Sequence, residues 1–195
     1  MDEPRDKGRG KMSKASTVGQ SIVRILVGGP GQQTPSDERH DIAGFVLGAP
    51  ILLAGIPLAL NGPGKILYFL WGASLLLISL GLVAPGSLYG WWPTRAIGFA
   101  AALLAAGVVA GFAVLAGFCA VWLFSDPHDE WALLGVFFGA AALAGFGYAV
   151  GCTSVLLKKL DLETEQMLAT IAVGIGVGAL NILLMYLLHV SPFFD

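Results

Sequence analysis

The 195 residues are 56 % hydrophobic and only 12 % charged, with a formal net charge of −2 and two cysteines, and the mean hydropathy is +0.77. Soluble domains are nearer a quarter charged, and the charges here crowd into the first 41 residues and a few short loops, the pattern of a polytopic membrane protein. The near-neutral balance, with no basic stripe interleaved with aromatics, excludes a nucleic-acid partner.

Residues 1–41 read as a polar tail. Residues 1–20 mix both charges with Gly and Ser, bury too little to fold, and lack the basic start and apolar core of a cleavable leader, so none is expected. Five bases, Arg5, Lys7, Arg9, Lys11 and Lys14, suit a solvated segment that fixes orientation or touches anionic lipid. The run 21–27, SIVRILV, is too short to span and fits a short interfacial helix; GGPGQQTP then breaks regular structure.

From there the sequence predicts an all-α membrane domain, 42–189, of five transmembrane helices: 42–60, 66–84, 96–124, 131–157 and 167–188, followed by a tail at 190–195. A crossing needs about 20 apolar residues. The first span contains Pro50 and Pro57, each removing a backbone donor and freeing the carbonyl one turn earlier, on Val46 and Leu53. Two readings apply, a kinked helix packed against neighbours or a broken-helix solute site. Asn61–Gly64, NGPG, is a tight turn that returns the second span antiparallel. Pro85 and Gly86 end that span, and Tyr89, Trp91 and Trp92 in the following loop suit the headgroup level.

The third span, 29 residues or about 43 Å at the helical rise, must tilt or protrude. It carries a row of small residues at Gly98, Ala102, Ala106 and Ala110 and a second at Gly107 and Gly111. The fourth has Gly135 and Gly139, then Gly147 and Gly151; the fifth has Gly174, Gly176 and Gly178. Small residues at such spacings let helices approach closely. Because Gly176 is about 200° around the fifth helix from Gly174, that helix is expected to pack between two neighbours.

With five spans, ten of the eleven basic residues fall on one side, so the positive-inside rule puts the N-terminus in the cytoplasm and the C-terminus outside, in a membrane of bacterial inner-membrane type. No span so drawn contains an Asp, Glu, Lys or Arg, the groups that pumps and ion-coupled transporters place at depth. Asn181 is the one amide at depth, expected in an interhelical hydrogen bond with Tyr186 and Ser74 as neighbours. Asp126, His128, Asp129 and Glu130, with His189 and Asp195, offer metal-ligand types, but in no recognised spacing. Cys119 and Cys152 fall at opposite ends of their spans, too far apart to bridge.

No catalytic motif or cofactor loop is present, and neither cofactor nor metal is expected. The reading is a non-enzymatic integral membrane protein in contact with lipid, an accessory or scaffold subunit of a membrane complex or homo-oligomer. The alternative is a passive channel or permease for a small or apolar solute. A membrane-bound enzyme using His128 and His189 ranks third.

Overall fold

The computed structural model describes residues 38–60, 66–125 and 129–187; residues 1–37 of the tail, with the segment 21–27, the NGPG turn and Lys65, Asp126 to His128, and Leu188 onward lie outside the described residues. The described residues form five α-helices and one 3-10 turn and contain no strand. They are α1 (Glu38–Leu60), α2 (Ile66–Val83), α3 (Trp92–Ser125), α4 (Asp129–Lys159) and α5 (Thr164–Leu187), with the 3-10 turn at Gly86–Gly90 between α2 and α3. Four of the helices are long and apolar enough to cross a membrane, and α2 contributes a shorter apolar stretch, Tyr68–Val83.

The helices extend beyond the expected spans at polar ends. α1 starts at Glu38 instead of 42, α3 at Trp92 instead of 96, α4 runs 129–159 instead of 131–157, and α5 starts at Thr164 instead of 167. Hydropathy locates the apolar stretch, whereas the helix continues until its backbone groups find caps. Glu38 and Asp41 occupy the first turn of α1 and Glu165 that of α5, where carboxylates complement the helix dipole. At the start of α5 the Gln166 side chain accepts the Glu163 N–H at 3.2 Å, half of a capping box. Two residues past the end of α4, Asp161 is a non-glycine residue with φ 50°, the left-handed conformation that stops a helix.

The helices alternate in direction. Leu123, late in α3, lies where a Cβ on Gly135, early in α4, would meet it at 3.1 Å, and Leu160, just after α4, lies 3.3 Å from the same position on Gly98, early in α3. The start of α1, the end of α2, the start of α3, the end of α4 and the start of α5 are thus together at one end of the bundle, here the near end. α1 pairs with α2, α4 and α5 both pack on α3, and α2 bridges the two groups through α3.

The core is concentrated at the near end. Ile78, Leu82, Tyr89, Phe99, Ala101, Ala102, Ala105, Cys152, Val155, Leu156, Leu157 and Leu160 form one buried cluster. Towards the far end, Phe112, Val114, Leu115, Phe118, Val121 and Trp122 on α3 and Leu134, Val136, Phe137, Phe138 and Leu143 on α4 are exposed. In water such a surface would not persist; in lipid it needs no cover.

Candidate functional site: a buried ion pair that caps a helix

The face of α1 that meets α2 carries Gly44, Gly48 and Gly55, all buried. Gly44 and Gly48 are four apart and Gly55 seven further on, a stripe along one side of the helix. A Cβ on Gly48 would meet Val83 Cγ2 at 2.9 Å and Leu82 Cβ at 3.1 Å, and one on Gly55 would meet Leu75 Cβ at 3.2 Å. Asp41, three residues before Gly44, continues the stripe into the first turn and so faces the end of α2.

Lys159 reaches the same place from α4. Its Nζ donates to the carbonyl of Leu82 at 2.6 Å and to that of Ala84 at 2.8 Å, and lies 3.3 Å from Asp41 Oδ1. The side chain is 1 % exposed against 28 % for Asp41. Gly44 makes the room: a Cβ there would come within 2.7 Å of the ammonium. Asp41 Oδ1 also accepts the Gly86 N–H at 2.9 Å. All three ammonium protons therefore have acceptors, the condition for burying a lysine.

The arrangement also meets the needs of the α2 C-terminus. Pro85 cannot continue the helix, which leaves carbonyls of the last turn without intrahelical donors. Lys159 supplies two donors and a positive charge at the negative end of the dipole. Tyr89, buried in the 3-10 turn, donates its hydroxyl to the Gly81 carbonyl. Burial, and secondarily the charge of Asp41, pushes the Tyr89 hydroxyl up from its ordinary value, so it stays a neutral donor. Gly98 admits the Tyr89 ring against α3.

A second set of hydrogen bonds holds α1 one turn deeper. Tyr148 on α4 donates to the Leu47 carbonyl, and Ser79 on α2 donates to the Gly48 carbonyl at 3.1 Å. Both acceptors lie just before Pro50, where the helix ladder is interrupted.

Of the positions singled out from sequence, the glycines divide. A Cβ on Gly178 would meet Gly107 O at 2.6 Å and Ala110 Cβ at 3.0 Å, and one on Gly174 would meet Leu103 O at 2.9 Å. α3 and α5 are thus in near-backbone contact at the expected rows. Gly111 touches Ile182 only at 4.0 Å, and Gly135 meets Leu123. Gly139, Gly147 and Gly176 have nothing within 4 Å of an added Cβ. The fifth helix was expected to pack between two neighbours; α3 is one of them, and among the described residues nothing meets its Gly176 face.

Pro50 and Pro57 both lie inside α1. Val46 and Leu53, whose carbonyls they free, are exposed, as is Leu60 at the helix end. Asn181 bonds within its own helix: its Nδ2 donates to Val177 O at 2.9 Å, and among the described residues no bond across helices accompanies it. Ser74 likewise bonds back to Leu70 O at 3.0 Å and Trp71 O at 2.8 Å. A bond to the preceding turn satisfies such a group in lipid without any partner. Cys119 and Cys152 are free. Among the described residues no three metal-ligating side chains cluster; His128 and His189 are outside them.

The expected spans, 42–60 and 131–157, stop short of Asp41 and Lys159, so nothing in the sequence pairs them. Asp41 shares a helical face with Gly44 and Gly48, the signal that would have placed it. Lys159 lies on the face of Tyr148, Cys152 and Val155, which separates it from Lys158, an exposed neighbour. No protein-family model, curated protein or solved structure matches the chain at a significant level.

Proposed function

We propose that the chain is a non-enzymatic integral membrane protein of the bacterial plasma membrane that serves as an accessory or scaffold subunit, in a homo-oligomer or with other membrane subunits. In this reading all five helices cross the bilayer, α2 included, with the near end and the N-terminus cytoplasmic and the C-terminus external. Support for the placement comes from the bases gathered on that side.

The observation that carries the subunit reading is the contrast between the two faces of α5. The Gly174 and Gly178 face is in backbone contact with α3, while Gly176, on the opposite side, meets nothing among the described residues. Bare glycine positions recur at Gly139 and Gly147 on α4. Close-packing residues are of no use against lipid tails and of much use against another helix. The exposed apolar residues of the far-end halves of α3 and α4 offer the same opportunity.

Extraction in mild detergent followed by light scattering tests this. The expected result is a species heavier than the 20.3 kDa monomer, or a co-purifying partner, and Gly176→Cys forming a cross-link in native membranes. A homogeneous monomer with no partner, and no cross-link, rejects it.

A passive channel or permease is the second reading, favoured by the two prolines of α1 and the exposed residues whose carbonyls they free. Solute flux above that of empty liposomes, from protein shown to be folded, would establish it; no flux from the intact oligomer would remove it.

A further inference from the structure

α5 has a face that its contact with α3 does not use. Val173, Val177, Leu180 and Leu184 are all exposed, and their spacing of four, three and four residues is the a/d repeat of a coiled-coil seam, with Val177 at an a position and Leu180 at the d that follows. Valine at a with leucine at d is the two-stranded preference. The seam lies about a third of a turn around the helix from the Gly174 and Gly178 stripe, so α5 can hold α3 with one side and a further helix with the other.

The flanks of the seam identify that helix. Asn181 borders it on one side and Gly176 on the other, each about 70° from its centre. Asn181 is exposed, and its Nδ2 gives one proton to Val177 O. The second amide proton and Oδ1, which lipid tails cannot answer, have no partner among the described residues. The residue is about 25 Å along α5 from its start, inside the apolar span Thr164–Leu184. Asn181 follows Gly176 by five residues; Gly176 is a g position and Asn181 the e position of the next heptad, and in a parallel two-stranded coil those two positions stand side by side across the pair. Copies inserted under the same charge rule share one orientation, so two copies of α5 run parallel. Each then sets its Asn181 amide against Gly176 of the other, twice about the two-fold axis. Gly176 has nothing within 4 Å of an added Cβ, and its missing side chain opens the backbone, whose carbonyl oxygens keep a second lone pair.

We infer that α5 pairs with α5 of a second copy of this chain, seam against seam in a parallel crossing, with Asn181 of each bonded to the backbone at Gly176 of the other. The inference rests on the subunit reading and names its partner.

Disulfide cross-linking in native membranes, with copper phenanthroline as oxidant, reads the contact on a Cys119→Ser background in which the remaining Cys152 is buried. Val177→Cys and Leu180→Cys are expected to give linked dimers of the chain, since facing seam positions bring Cα atoms within about 7 Å. Ile175→Cys, also exposed but on the far side of the helix from the seam, is expected to give none. Asn181→Leu, checked for helical content, is expected to raise the dimer dissociation constant in lipid about tenfold, the scale of two interhelical amide bonds; single-molecule photobleaching over a series of protein-to-lipid ratios measures it. A heavier species whose seam cysteines stay unlinked, link to a different protein, or link no better than Ile175→Cys overturns the inference and leaves the subunit reading standing. A dissociation constant unchanged in Asn181→Leu also overturns it, whereas a wild-type monomer with no partner at every ratio rejects both.

Discussion

Lys159 Nζ, at the last residue of α4, is 3.3 Å from Asp41 Oδ1 in the first turn of α1, and the same ammonium holds two carbonyls at the end of α2. One side chain thus joins three helices at a point where each alone would have unsatisfied groups. Removing Asp41 leaves a charge that is 1 % exposed facing only neutral acceptors. Asp41→Ala is therefore expected to destabilise the protein by about 3 kcal/mol, the scale for breaking a buried pair. Lys159→Met strands the carbonyls of Leu82 and Ala84 and should cost a comparable amount. The double variant should be clearly more stable than the sum of the two losses implies, because the second change removes the charge that the first leaves unpaired. Thermal unfolding in detergent, run as a double-mutant cycle, measures the coupling; additive losses would show that the pair does not act as one unit.

Tyr89 gives a pH dependence whose sign is fixed. Burial raises its hydroxyl pKa above the ordinary 10.0, so below that value both folded and unfolded states keep the proton and its contribution is complete. As the pH rises past the ordinary value the unfolded state ionises first, and the stability that depends on the neutral hydroxyl is lost. Relative to Tyr89→Phe, the wild type is expected to lose stability above about pH 10. At neutral pH, Tyr89→Phe should cost about 1 kcal/mol through loss of the bond to the Gly81 carbonyl. Unfolding midpoints of the two proteins across an alkaline pH series check both statements; parallel curves would mean that Tyr89 is not the group responsible.

The fold class was legible because hydropathy and helical spacing are local. The rows that include Ala106 and Ala110 on one helix and Gly174 and Gly178 on the other follow from one helix at a time, and at these residues they meet in the structure. What was not legible depends on two helices at once. Whether Gly176 is covered depends on where α4 lies, and no residue of α5 encodes that. Asn181 was expected across a helix interface because an amide in lipid needs a partner, yet the carbonyl of Val177 was within reach in its own helix. The ion pair was missed for a different reason: trimming the spans to apolar residues cut Asp41 and Lys159 from the helices that bring them together.

The two faces of α5 separate folding from assembly. Gly174→Leu places a branched side chain against Ala106 and the Leu103 carbonyl, which are backbone or nearly so and cannot retreat without moving α3 from α5. A loss of about 2 kcal/mol or more is expected, the upper part of the range for overpacking. Gly176→Leu meets open space and should leave the unfolding midpoint of the monomer unchanged or slightly raised, since glycine within a helix is itself unfavourable by about 1 kcal/mol. Its effect should appear only in native size, as loss of the heavier species. Equal destabilisation by both substitutions would contradict the placement of α5.

Asn181 distinguishes the subunit reading from the channel reading. Its amide is exposed and already bonded to Val177 O, so Asn181→Leu removes a local bond and returns an apolar side chain to an apolar helix. In the subunit reading the stability change should be within about 0.6 kcal/mol, the average for such bonds in membrane helices, and reconstituted protein should show the same solute leak as empty vesicles before and after the change. In a pore lined by this face of α5, the same substitution would remove the polar group that a solute passes and alter the flux. Stopped-flow swelling of liposomes with a panel of small solutes, wild type against Asn181→Leu at matched protein content, decides the matter: a flux in the wild type that the substitution abolishes would overturn the scaffold assignment.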